Sequence, residues 1–158
     1  LILATGFVFW SILNPLMIKL MPLLIKDQMP GILLEELMNM SKAEAIKNYH
    51  SDLYSMGLLF TVFSLMGILA DEISLGKLVL PYTKGVNPSG MVLAKTLHYI
   101  LVISFLIFLA VFLNYHYVSM FFAGDDLSFK ELMPVILLYI IFYTFIITLM
   151  VLMSSLFK

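Results

Sequence analysis

Four long stretches of this chain carry no charge: Leu1–Ile18, Leu53–Ala70, Thr96–Gly124 and Leu132–Phe157. A bilayer core of about 30 Å needs roughly 20 apolar helical residues, because each rises about 1.5 Å. All four stretches approach or exceed that length. They are apolar all round rather than striped, as in Phe105-Leu106-Ile107-Phe108-Leu109-Ala110-Val111-Phe112-Leu113, which leaves no face for water. A transmembrane β-barrel would alternate polar and apolar residues, and these segments do not. Helices are the form that satisfies the backbone inside hydrocarbon. Apolar residues make up 62% of the chain and charged residues 12%, against about 45–50% and about 25% in soluble domains. The excess must face something apolar.

The sequence therefore predicts an all-α fold: a polytopic transmembrane helical bundle in a single domain, with spans at about 1–22, 53–70, 96–116 and 132–156. An amphipathic loop, 26–52, follows the first span, and a second loop, 71–95, follows the second. Pro15 has no N–H and crowds the preceding turn, so a kink or break is expected in the first span. Leu20–Ile25, past Pro22, is apolar enough to lie in the interface. Ser41-Lys42-Ala43-Glu44 has capping-box spacing and predicts a helix from Lys42 that runs into the second span. Asn87-Pro88 combines a capping residue with a proline at the first helical position and predicts another start there. Because the chain opens on Leu1 inside an apolar run, it is read as a piece of a longer protein.

Lysines do not orient the bundle decisively. Side X, holding 71–95, carries Lys77, Lys84 and Lys95, with Lys158 at the chain end; side Y carries Lys26, Lys42, Lys47 and Lys130, with Lys19 nearby. The more positive balance on X favours it as the cytoplasmic side.

Several function classes fall away. The formal net charge of −1 supplies no basic field for nucleic acid. There is no cysteine, and all nine basic residues are lysines, so thiolate chemistry and the bidentate arginine fork are missing. No Gly-rich phosphate loop is present, and Ser104, Ser154 and Ser155 have no histidine placed to activate them. His50 with His116, Asp125 and Asp126 is the one arrangement that brings metal-ligand types to a single side. No catalytic, cofactor or metal site is expected. Thr61, Ser64, Ser104, Tyr143 and Thr144, with Asn14, Tyr139 and Thr148, are polar residues within the spans. They either line a pathway or hydrogen-bond between helices. No span has an ionisable residue at its centre, which argues against a proton relay.

The loop after the second span is the most distinctive segment. Asp71-Glu72 ends the span, Ile73, Leu75, Leu78, Val79 and Leu80 make a short amphipathic stretch around Gly76, and Pro81 closes it. Such an element can rest on lipid or plug into a groove on a soluble partner. The order Glu72, Gly76-Lys77-Leu78, Pro81-Tyr82-Thr83-Lys84 and Lys95 resembles the ABC-2 type permease family, the membrane subunits of ATP-binding-cassette exporters. That pattern runs roughly Glu, Gly-Thr, Pro-Val-Ser-Arg, Lys, so Lys77 replaces a usual Thr and Lys84 a usual Arg. The resemblance extends to the succession of spans across the chain, four of the family's usual six.

The resemblance implies a multi-pass protein of a prokaryotic cell membrane, a permease homodimer or heterodimer embedded among membrane lipids. It also implies an ABC ATPase subunit at the cytoplasmic face that uses the ATP, with Glu72, Leu75, Gly76, Leu78, Pro81, Lys84 and Lys95 forming the coupling element. A membrane scaffold or assembly protein is the alternative.

Overall fold

The computed structural model describes residues 2–24, 40–66, 85, 87–122 and 127–156. These form four α-helices: α1 (Ile2–Leu24), α2 (Lys42–Leu65), α3 (Pro88–Phe121) and α4 (Met133–Leu156), the last preceded by a 3₁₀ turn, Phe129–Leu132. Both expected helix starts are present. Ser41 accepts from the Glu44 amide while the Glu44 carboxylate accepts from the Ser41 amide, a reciprocal box at the head of α2. Asn87 accepts from the Ser89 amide, with Pro88 at the first helical position of α3.

Side-chain pairings fix the topology. Gly6 faces Phe60 and Asn14 bonds Asp52, so α1 and α2 are antiparallel. Asn114 bonds Ser11 and Lys19 sits over Phe122, so α1 and α3 run together. Tyr139 and Tyr143 reach His50 and Leu53 in the same sense, making α2 and α4 parallel. The shared core contains Phe7 from α1, Tyr49 and Leu53 from α2, Ile103, Ile107 and Val111 from α3, and Tyr143 and Ile147 from α4.

The outside is as apolar as the inside. Leu101 is 70% exposed, Leu138 66% and Phe145 63%, a surface suited to lipid and not to water. Three helices are long and apolar enough to cross a membrane, over Leu3–Met21, Ser89–Phe121 and Phe129–Ser154. That is the architecture of a multi-pass membrane protein.

The second expected span, 53–70, is described only as far as Met66, and 67–70 lie outside the described residues. The charge-free part of α2 within the helix, Leu53–Leu65, covers only about 20 Å at helical rise. The first half of α2 holds Lys42, Glu44, Lys47, His50 and Asp52, and the described part of α2 is not among the three candidate spans. That first half also departs from the expected surface loop: Lys42, Ala45, Ile46 and Tyr49 are buried in the bundle. The loop residues 25–39 lie outside the described part.

Of the kink or break expected at Pro15, a break does not occur: α1 is one continuous helix through Pro15 and Pro22. The reason is a donor from another helix. Pro15 cannot bond the Ser11 carbonyl, and the buried Asn114 amide of α3 donates to that oxygen at 3.2 Å.

Candidate functional site

Beside the Pro15 repair lies a layer of polar side chains drawn from α1, α2 and α4. Asn14 of α1, 6% exposed, donates through Nδ2 to Asp52 Oδ2 of α2 at 2.6 Å. Two tyrosines one turn apart on α4 each donate to a backbone carbonyl of α2: Tyr139 to His50 at 2.8 Å and Tyr143 to Leu53 at 2.7 Å. Gly57 makes room for the second contact, since a Cβ there would collide with the Tyr143 hydroxyl. Phe7 packs edge-on against the Tyr143 ring, and the His50 imidazole stacks on Tyr139 with centroids 5.5 Å apart.

The layer also holds polar atoms without partners. Asn14 Oδ1, the Tyr49 hydroxyl, Trp10 Nε1 and both ring nitrogens of His50 are buried and make no hydrogen bond. Buried polar groups are ordinarily satisfied, and these five atoms are exceptions to that rule.

Toward side Y the bundle is closed by cations and aromatic rings. The Lys42 ammonium, on a residue only 8% exposed, donates to the Leu127 carbonyl at 3.1 Å and lies 4.4 Å from the Tyr115 ring centroid. Tyr115 donates to the same carbonyl at 2.9 Å, and Phe129 packs on Phe108, Phe112 and Tyr115. Tyr115 and Phe129 thus form part of a clasp between α2, α3 and the approach to α4. Outside the spans, the two Ser41 bonds hold the Glu44 carboxyl below the usual carboxylate range, the backbone bond first.

Of the polar residues singled out in the sequence, Asn14, Tyr139 and Tyr143 bond across to another helix. Thr61 and Thr144 turn their hydroxyls to Gly57 and Ile140 of their own helices. Ser64 and Ser104 are half-buried. In the loop motif, Lys95 lies on α3, half-buried, while Glu72, Leu75, Gly76, Leu78, Pro81 and Lys84 lie outside the described residues. No group of three metal-ligand types occurs among the described residues; Asp125 and Asp126, which the sequence set beside His50 and His116, lie outside them.

Sequence reasoning passed over Asn114, Asp52 and the burial of Lys42. A signal existed for Asn114: a proline inside an apolar helix frees the carbonyl four residues earlier and calls for a donor elsewhere. Asp52 stands just before the second expected span and in none of the three candidate spans. Its partner Asn14 stands seven positions before Met21, about 10 Å inside the first candidate span.

No protein-family model, curated protein or solved structure matches the chain.

Proposed function

We propose that this chain is a membrane-spanning permease subunit of an ABC-2 type exporter, paired with itself or a homologue and driven by separate ATPase subunits. The observation that carries the reading is the ordered set Glu72, Gly76, Pro81, Lys84 and Lys95 in the interval between α2 and α3. The character of α3 supports it. This helix starts from a capped Asn87-Pro88 and continues for 34 residues, about 50 Å against a hydrocarbon core of about 30 Å. A rigid helix longer than the bilayer is a suitable lever for motion applied at its X-side end. ATP-driven closure of two ATPases would bias one of two arrangements of the spans, and the coupling element would carry that bias.

The test is purification of the chain with its co-expressed ATPase. Replacing Leu75 and Leu78 by Asp is expected to abolish co-purification while membrane insertion stays normal. Retention of the ATPase by that variant removes the coupling assignment. If no nucleotide-hydrolysing subunit accompanies the native protein, the scaffold or assembly alternative takes its place.

A further inference from the structure

His50 joins α2 to α4 through its ring and its backbone together. The imidazole lies face to face with Tyr139, centroids 5.5 Å and planes 12° apart, and the Tyr139 hydroxyl donates to the His50 carbonyl at 2.8 Å. Both ring nitrogens are buried, and neither has a hydrogen-bond partner. A neutral imidazole leaves one donor and one acceptor unmet there. An imidazolium would leave two donors unmet and carry a charge as well. The face of a tyrosine attracts a cation, but it supplies no acceptor for either N–H.

We propose that His50 is a proton-controlled latch between α2 and α4: the neutral ring closes the seam by stacking on Tyr139, and the protonated ring leaves it for water. The proton comes from solvent and returns to it. Because the nitrogens are covered in the closed form, a proton reaches them only when the ring turns out, so protonation and opening are one equilibrium. Burial holds the imidazole below the ordinary histidine range, the direction that such coupling requires. The latch is therefore fully closed above about pH 6.5, the value of an unperturbed histidine. Its contribution is lost as pH falls through the lowered value. The Tyr139 bond to the backbone does not depend on the ring's charge, so opening loosens the seam without dissolving it.

The groups around the ring leave burial as the deciding influence. On α4 the facing group is Tyr139, and on α2 the Tyr49 ring lies 6.1 Å away, centroid to centroid. Lys47 and Tyr54, one turn to either side on α2, are exposed, and Asp52 accepts from Asn14 of α1. Lys130 and Glu131 of the turn before α4, and His116 of α3, are exposed. Among the described residues no charged side chain adds to the effect of burial on His50. This inference is independent of the permease reading.

The experiment is solid-state NMR of the full chain in lipid bilayers, with ring-labelled histidine and tyrosine, titrated from about pH 8 to about pH 5. The chain has three histidines, and the signal missing from His50→Gln is His50. Its midpoint is expected below about 6.5, and the ring-to-ring contact signal with Tyr139 is expected to fade as it titrates. Tyr139→Leu, which removes the covering ring, is expected to move the midpoint back up. Thermal unfolding of the same samples supplies a readout that does not need Tyr139→Leu to fold. Wild type is expected to unfold earlier in acid, and the shift shrinks in His50→Phe, which stacks without titrating, and in His50→Gln. A His50–Tyr139 contact that persists after His50 is protonated overturns the proposal. So does an acid shift of the same size in wild type and both His50 variants.

Discussion

The two ends of the bundle use the same four helices but handle polar side chains in opposite ways. In the Y-side half, long side chains cross between helices: Asn114 to Ser11, Asn14 to Asp52, Tyr139 to His50 and Lys42 to Leu127. Toward side X, Thr96 and Thr148 return their hydroxyls to Val92 and Thr144, one turn back in their own helices. A groove of about 510 Å³ opens there between α3 and α4, walled by Val92, Leu93 and Thr96 on one side and Thr148 and Val151 on the other. Reach explains the contrast. A β-branched hydroxyl is short enough to bond the carbonyl four residues back and contributes nothing across an interface, whereas Asn, Tyr and Lys extend beyond their own helix.

The largest expected effect tests close approach at two neighbouring glycines, one facing the Tyr143 hydroxyl of the polar layer and one facing only a phenylalanine ring. Gly57→Val places a side chain where the Tyr143 hydroxyl sits, with Leu53 and Phe7 only 3.5 Å from the first added carbon. A loss of about 1–3 kcal/mol is expected from overpacking, measured by unfolding in detergent. Gly6→Ala, nearer side X, meets the Phe60 ring at 3.4 Å, an ordinary contact. It is expected to stay within about 0.5 kcal/mol of wild type. Equal losses at the two glycines would erase the distinction.

Next comes the Pro15 repair. Asn114→Leu leaves the Ser11 carbonyl without its donor, at a cost of about 1–3 kcal/mol. Pro15→Ala restores a backbone N–H for that carbonyl, so the penalty of Asn114→Leu is expected to shrink in the Pro15→Ala background. A double-mutant cycle reads this directly. Ser104→Ala, on the same helix toward side X, is the comparison and is expected to change little.

What was legible in the sequence follows from this division. Apolar runs showed α1, α3 and α4 because lipid-facing helices need no periodic stripe, and the Ser41–Glu44 and Asn87-Pro88 signals marked two starts because capping is local. The packing of Lys42 to Asp52 was not legible. A mixed polar and apolar segment reads as a surface linker until its partners are known, and those partners, Asn14, Tyr115, Tyr139 and Leu127, are distant in sequence. The polar layer was half legible: Tyr139 and Tyr143 were picked out as polar residues in a span, but only the fold shows that they meet α2 at two carbonyls.

Smaller effects sharpen the same contrast. Lys42→Met keeps the apolar stem but removes the ammonium from the Tyr115 ring and the Leu127 carbonyl, and a loss of about 1–2 kcal/mol is expected. Tyr143→Phe removes one interhelical bond, worth about 0.6 kcal/mol in membrane bundles. Thr144→Val, one residue on, removes a hydroxyl that bonds only its own helix and is expected to fall below it. Unfolding in detergent orders all three.

The smallest effect compares the two helix starts. At the head of α2, Ser41 holds the Glu44 carboxyl below its ordinary range, so the bound carboxylate stabilises that turn above the ordinary carboxylate pKa. The contribution disappears as pH falls through the lowered value. At the head of α3, Asn87 is uncharged and the first turn holds no acid. Amide protection at Ser41 is therefore expected to weaken in acid relative to that at Ser89, once intrinsic exchange rates are corrected. Glu44→Gln, which retains the geometry of a capping box without the charge, should remove the difference. If Ser41 and Ser89 respond alike to acid in the unsubstituted chain, the charge on Glu44 plays no part in starting α2.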